Sequence, residues 1–87
     1  MRFIRVLDFE GTRGLEYHHL DQIWKLIHLK FLSLRGCGGI DLLPDLLGNL
    51  RQLQMLDIRG TNVKALPKTI IKLQKLQYIH AGFERNY

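Results

Sequence analysis

Four segments of the chain share one pattern at intervals of 25, 24 and 23 residues: Ile4-Arg-Val-Leu-Asp-Phe-Glu-Gly11, Leu29-Lys-Phe-Leu-Ser-Leu-Arg-Gly36, Leu53-Gln-Met-Leu-Asp-Ile-Arg-Gly60 and Leu76-Gln-Tyr-Ile-His-Ala-Gly82. A unit of this length cannot enclose a core of its own, because each copy presents apolar side chains that only the next copy can cover. The expected fold is therefore an α/β repeat solenoid. It has about three coils plus a fourth strand, a parallel sheet on the concave side and short helices or turns on the convex side. The repeats are expected at 4–28, 29–52 and 53–75, with a partial copy at 76–87, in one module spanning 1–87.

Within each strand, side chains alternate between faces. Ile4, Leu7 and Phe9 are expected to point inward, as are Leu29, Leu32 and Leu34, then Leu53, Leu56 and Ile58, then Leu76, Ile79 and Ala81. The intervening residues form outward rows because parallel strands lie only about 4.8 Å apart. These rows are Val6-Phe31-Met55-Tyr78, Asp8-Ser33-Asp57-His80 and Glu10-Arg35-Arg59-Gly82. The first is an apolar and aromatic stripe of the kind that anchors protein interfaces. In the third, Arg35 and Arg59 are expected side by side, repelling each other until a carboxylate or phosphate bridges them, with Glu10 and Asp57 as partial counter-charges. Asp57 beside His80 reads as an ordinary surface contact.

The return segments align as well: Leu43-Pro44-Asp-Leu-Leu47-Gly-Asn-Leu50 matches Leu66-Pro67-Lys-Thr-Ile70-Ile-Lys-Leu73. The apolar spacing gives one buried stripe, and a proline at the start suits a helical turn. The first copy departs from this, with His19-Leu20 where the others have Leu-Pro and one extra residue in the connection. Its His18-His19 pair lacks the carboxylate or thiol company of a metal site, and adjacent helical residues are expected to face apart. No metal or cofactor is expected.

The L-x-x-L-x-L register is that of leucine-rich repeats. Glycines 11, 36, 60 and 82 follow the strands, and Thr12, Cys37, Thr61 and Phe83 occupy the next position, where many leucine-rich repeats place Asn. A hydroxyl or thiol there can donate to turn carbonyls in place of an amide, so Cys37 is expected to be structural. Phe83 breaks the pattern and suggests that the array ends or changes there.

The stretch Leu43-Pro-Asp-Leu-Leu-Gly-Asn-Leu-Arg-Gln-Leu-Gln-Met-Leu-Asp-Ile-Arg-Gly-Thr61, continued by Leu66-Pro-Lys-Thr-Ile-Ile-Lys-Leu-Gln-Lys-Leu-Gln-Tyr-Ile79, resembles the repeats of plant intracellular nucleotide-binding resistance proteins, especially the coiled-coil type common in cereals. Arg5-Val-Leu-Asp-Phe-Glu-Gly11 and Leu32-Ser-Leu-Arg-Gly-Cys37 fit the same family. This resemblance implies a non-catalytic interaction module of an immune receptor, contributing to pathogen-effector recognition or to holding the nucleotide-binding switch inactive. The partners it implies are a pathogen effector, a host protein or the receptor's own nucleotide-binding domain. The chain has no G-x-x-x-x-G-K-[ST] loop with which to run such a switch itself.

Other classes have less support. No nucleophile–base pair, paired-carboxylate arrangement or phosphate loop is present, so no enzyme is expected. The net charge of +5 comes from residues 51–87, where seven Lys/Arg face Asp57 and Glu84, and Lys68, Lys72 and Lys75 read as one solvated face. That patch lacks the interleaved aromatics of a nucleic-acid binder. No segment is apolar enough to span a bilayer, and Met1-Arg-Phe-Ile-Arg lacks a signal-peptide core. A single cysteine and no N-x-S/T sequon agree with a cytoplasmic or nuclear setting. No polar cap is evident, so the end coils are expected to expose apolar surface and to offer self-association. The alternative roles are a purely structural segment or an intracellular leucine-rich repeat signalling scaffold, whose copies are more regular at 23 residues. The binding residues expected on the concave face are Val6, Asp8, Glu10, Phe31, Ser33, Arg35, Met55, Asp57, Arg59, Tyr78 and His80.

Overall fold

A computed structural model describes residues 3–81, the side chain of Tyr17 excepted. Four three-residue strands, β1 (Val6–Asp8), β2 (Phe31–Ser33), β3 (Met55–Asp57) and β4 (Tyr78–His80), form one parallel sheet in sequence order. Three 3-10 helices, Tyr17–Lys25, Asp45–Asn49 and Lys68–Lys72, connect them. The register is Val6↔Phe31↔Met55↔Tyr78, Leu7↔Leu32↔Leu56↔Ile79 and Asp8↔Ser33↔Asp57↔His80. The sheet hydrogen bonding continues past the strands, with the Gly11 amide donating to the Arg35 carbonyl and the Gly36 amide to the Arg59 carbonyl.

The connections are 3-10 because their apolar residues recur every third position. Leu50 donates to the Leu47 carbonyl and Leu53 to the Leu50 carbonyl, both at 3.0 Å, and the same chain runs Ile23-Leu26-Leu29 and Ile70-Leu73-Leu76. In a helix of three residues per turn, side chains three apart eclipse, so the buried edge of each return leads directly into the strand's inward leucine. Pro44 and Pro67 stand just before their helices in extended conformation, with φ of −80° and −66°. They thus end the preceding extended run rather than occupying the first helical turn, and their carbonyls accept from Leu47 and Ile70.

The first connection solves the same problem differently. Its helix is nine residues long against five in the other two. Without a Leu-Pro pair, it buries Leu20, Ile23 and Trp24. The histidine side chains do not face apart as expected: the His18 and His19 rings meet at 4.0 Å between centroids. His19 Nδ1 accepts the Glu16 amide at 2.9 Å, which folds the helix start back on itself. Among the described residues, no three His, Cys, Asp or Glu side chains gather as a metal-binding group.

The core lies between sheet and helices. Leu29, Leu32, Leu34, Leu47, Leu50, Leu53 and Leu56 are fully buried, whereas Leu7 on β1, Ile4 and Phe9 beside it and Leu76 beside β4 are only half-covered. Three glycines allow the units to approach closely, and at Gly39 a methyl group would meet the Leu15 carbonyl oxygen at 2.7 Å. A methyl group at Gly48 would meet the Thr69 Cβ at 2.7 Å, and one at Gly60 would meet the Gly36 Cα at 3.1 Å. Gly60 also has φ of +73°, a conformation that costs other L-residues about 1–2 kcal/mol. Polar links join the same units: Thr69 Oγ1 donates to the Asp45 carbonyl at 2.8 Å, and Asn62 Nδ2 to that of Gly38.

Leu56 has no exposed surface, while its row neighbour Ile79 is 39 % exposed. Leu56→Ala is expected to lower unfolding stability by about 2–5 kcal/mol, as cavity formation in a packed core does, and Ile79→Ala by clearly less. Urea unfolding followed by circular dichroism measures both, and equal losses would contradict this account of the core.

Candidate functional site

The sheet face away from the core carries the outward rows. In the first row, Val6 is 57 %, Phe31 40 % and Tyr78 59 % exposed, while Met55 is half-buried between its neighbours. The register thus sets an apolar stripe across four strands. Arg5, Lys30, Gln54 and Gln77 precede its members and edge it with polar groups.

The second row differs from its expected role. Asp8 Oδ1 accepts the Glu10 amide at 2.9 Å, Ser33 Oγ accepts the Arg35 amide at 3.4 Å, and Asp57 Oδ1 accepts the Arg59 amide at 3.1 Å. The reason lies in the sheet: Leu34 and Gly36 donate forward to the Asp57 and Arg59 carbonyls, and the amide between them must find another acceptor. A short oxygen-bearing side chain two residues earlier supplies it. The signal was present in the sequence as Asp8-Phe-Glu-Gly, Ser33-Leu-Arg-Gly and Asp57-Ile-Arg-Gly, an acceptor at the same offset before each glycine.

Asp57 departs furthest from expectation. It is not an outward binding residue: it is 5 % exposed, and its carboxylate is occupied. Arg59 Nε donates to Oδ1 at 3.0 Å and Arg59 Nη2 to Oδ2 at 2.6 Å, a two-point ion pair. That donation holds the Asp57 carboxyl below the usual carboxylate range against the opposing effect of burial, and the Arg59 amide, the Arg59 charge and the neighbouring His80 add to it. The Asp57–His80 pair is therefore a buried carboxylate beside an exposed imidazole, with Arg59 as the dominant partner. In the third row Arg59 turns back onto its own strand, where its charge is met by Asp57 and also by Glu10, the two counter-charges expected there, rather than standing free beside Arg35. Arg35 is exposed and, among the described residues, forms no ion pair. Glu10, Asp8 and His80 are exposed and Ser33 half-buried, whereas Gly82 and Phe83 lie outside the described residues.

The turn position after the glycines holds as expected for two copies. Cys37 Sγ donates to the Phe9 carbonyl of the preceding unit at 3.2 Å, and Thr61 Oγ1 to the Ile58 carbonyl at 2.7 Å. Burial pushes the Cys37 thiol up, an effect that the Thr12 amide only partly offsets and that Asp8 reinforces. Lys68, Lys72 and Lys75 are exposed on the opposite side, where Lys75 Nζ donates to Gln52 Oε1 at 2.9 Å. No helix among the described residues is long and apolar enough to cross a membrane.

A parallel sheet of short strands joined by 3-10 turns, with inward leucines and a glycine turn after each of the first three strands, defines the leucine-rich repeat class. The family model described as leucine-rich repeat region matches residues 1–86, and the chain belongs to that family. Its repeats are of the kind found in plant disease resistance proteins. Disease resistance protein Pik-2 from rice (Oryza sativa subsp. japonica) is 39 % identical over 91 % of the chain. Disease resistance protein RGA4 from the same species is 36 % identical over 95 % of it. The chain spans 8 % of the length of either relative.

The Asp57 carboxyl titrates lower in the folded than in the unfolded chain, so the pair's stabilisation is present above the ordinary aspartate value of about 3.9 and is lost as pH falls through the folded value. Urea midpoints measured from neutral pH down to about pH 2 are expected to decline over that window. Asp57→Asn should be less stable at neutral pH and decline less; an unchanged acid limb would sink the assignment.

Cys37 is expected to resist a disulfide thiol reagent in the native protein and to react promptly in denaturant, because its thiol is buried and hard to ionise. Absorbance on thiol exchange reads this directly, and rapid native reaction would mean that the turn opens.

Proposed function

We propose that the chain is a non-catalytic recognition module of a plant immune receptor, and that the open sheet face is the surface through which it binds another protein. It forms one solenoid module over 1–87, in an intracellular receptor acting in the cytoplasm or nucleus. The observation that carries the reading is the row Val6-Phe31-Met55-Tyr78, in which three large apolar side chains stay exposed on a scaffold that buries Leu32 and Leu56 of its inner strands completely. Exposed aromatic anchors on a rigid surface are the residues that contribute most to protein interfaces. The names of the rice relatives support the immune setting. In such a receptor this face contacts a pathogen effector or a host protein, or docks on the nucleotide-binding domain and holds the switch inactive.

The residues on this face divide by role. Phe31 and Tyr78 anchor, Val6 and Met55 extend the stripe, and Glu10, Arg35 and His80 supply polar contacts at its border. Asp57 is buried beneath the face, and the half-exposed Arg59 is engaged with it, so the pair supports the turn. Asp8 and Ser33 share that supporting role through the amides they accept.

Replacing Phe31 and Tyr78 together by Ala is expected to reduce retention of plant leaf proteins on the immobilised chain by about tenfold to a hundredfold, the range lost with aromatic anchors. Thermal unfolding of the same variant should stay close to that of the parent chain. Undiminished retention would favour the structural-segment alternative, in which the module carries curvature and no binding energy.

A further inference from the structure

The open face is not uniform in charge, and the difference follows from which cations the fold has already used. Beside β3 and β4, Arg59 is bound at two points to Asp57, and Gln54 and Gln77 precede Met55 and Tyr78, so among the described residues the outward positions of that half carry no unpaired Lys or Arg. On β1 and β2, Arg5 and Lys30 lie before the apolar stripe and Arg35 beyond it, and among the described residues none of the three forms an ion pair. The two carboxylates on that half, Asp8 and Glu10, are both on β1 or just past it, and Asp8 is turned back onto the Glu10 amide. Phe31 is therefore an exposed aromatic with an unpaired cation immediately before it and another four residues beyond it along the same chain.

Resting on the recognition reading above, we propose that this half of the face selects an extended acidic segment of a partner protein, and that Arg35 is its charge anchor. A guanidinium presents donors in a fixed fork that a carboxylate matches at two points, and Arg59 shows the geometry within this same chain. Arg35 has the same chain context as Arg59, Ser33-Leu-Arg-Gly against Asp57-Ile-Arg-Gly, but Ser33 stands where Asp57 stands. The serine satisfies the backbone amide as the aspartate does, yet brings no charge. The carboxylate that completes Arg59 is missing at Arg35, and a partner's Asp or Glu supplies it. Phe31 opens β2 and Arg35 stands four residues on, in the turn that follows the strand, at most roughly 13 Å away, so the matching segment carries an apolar side chain and an acidic one within about four positions.

The probe is a phage-displayed library of random peptides selected on the full chain, with binding of enriched peptides measured by fluorescence polarisation at two salt concentrations. Peptides with an acidic residue within about four positions of an apolar one are expected. Arg35→Ala should weaken them by about tenfold or more and flatten their salt dependence, Ser33→Asp should weaken them similarly by filling the fork internally, and Gln54→Ala should leave them unchanged. Thermal unfolding of Arg35→Ala should match the parent chain. Enriched peptides that are purely apolar, sensitive to Phe31→Ala but indifferent to Arg35→Ala and Ser33→Asp, would overturn the acidic specificity while leaving the recognition reading intact. No enrichment, or peptides insensitive to both Phe31→Ala and Arg35→Ala, would overturn the two together.

Discussion

Every feature of this protein depends on the fact that one strand and one short turn cannot bury their own leucines. Leu32 and Leu56 are fully covered because β2 and β3 each have a neighbour on both sides, while Leu7 and Ile79, at the same register, keep part of their surface in water. Apolar burial is the main favourable contribution to folding, so stability grows through contacts between units rather than within them. The close approach of those units then sets the small-residue positions. Gly48 faces Thr69 at a distance that leaves no room for a methyl group, and Gly60 faces Gly36 at one that would crowd it.

That packing frees the other side of the sheet. Because the inward rows and the returns meet the demands of the core, residues such as Phe31 and Tyr78 keep much of their surface exposed. The freedom is incomplete. Amides that the parallel ladder leaves without a partner must be satisfied, and Asp8, Ser33 and Asp57 are committed to that task two residues before Glu10, Arg35 and Arg59. A row that alternates outward is thus partly structural, and in the row beyond it Arg59 is engaged by Asp57 while Arg35 is not.

Much of this was legible in the chain. The spacing of Ile4, Leu29, Leu53 and Leu76 gave the four strands and their register, and the Leu-Pro segments gave the two later turns. The first connection was less legible: Ile23 matches Leu47 and Ile70, but Leu20 and Trp24 stand where the second copy has Pro44 and Gly48. The exposed stripe could be read from alternation alone. The fate of Asp57 could not, because its burial comes from the side chains around it and its charge from where Arg59 folds.

The sequence by itself determined the repeat, the inward rows, the glycine turns and the family to which the chain belongs, because each follows from the type of residue at a fixed interval. Only the tertiary structure decided which polar groups are already engaged. Arg35 and Arg59 are the same residue in the same row, and what separates them is a carboxylate two positions back, within hydrogen-bonding reach of one and absent from the other. Cys37 likewise becomes a structural thiol through a carbonyl 28 residues away, on Phe9. Hydrogen bonds act over about 3 Å and depend on direction, so their partners are fixed by the folded backbone rather than by spacing along the chain.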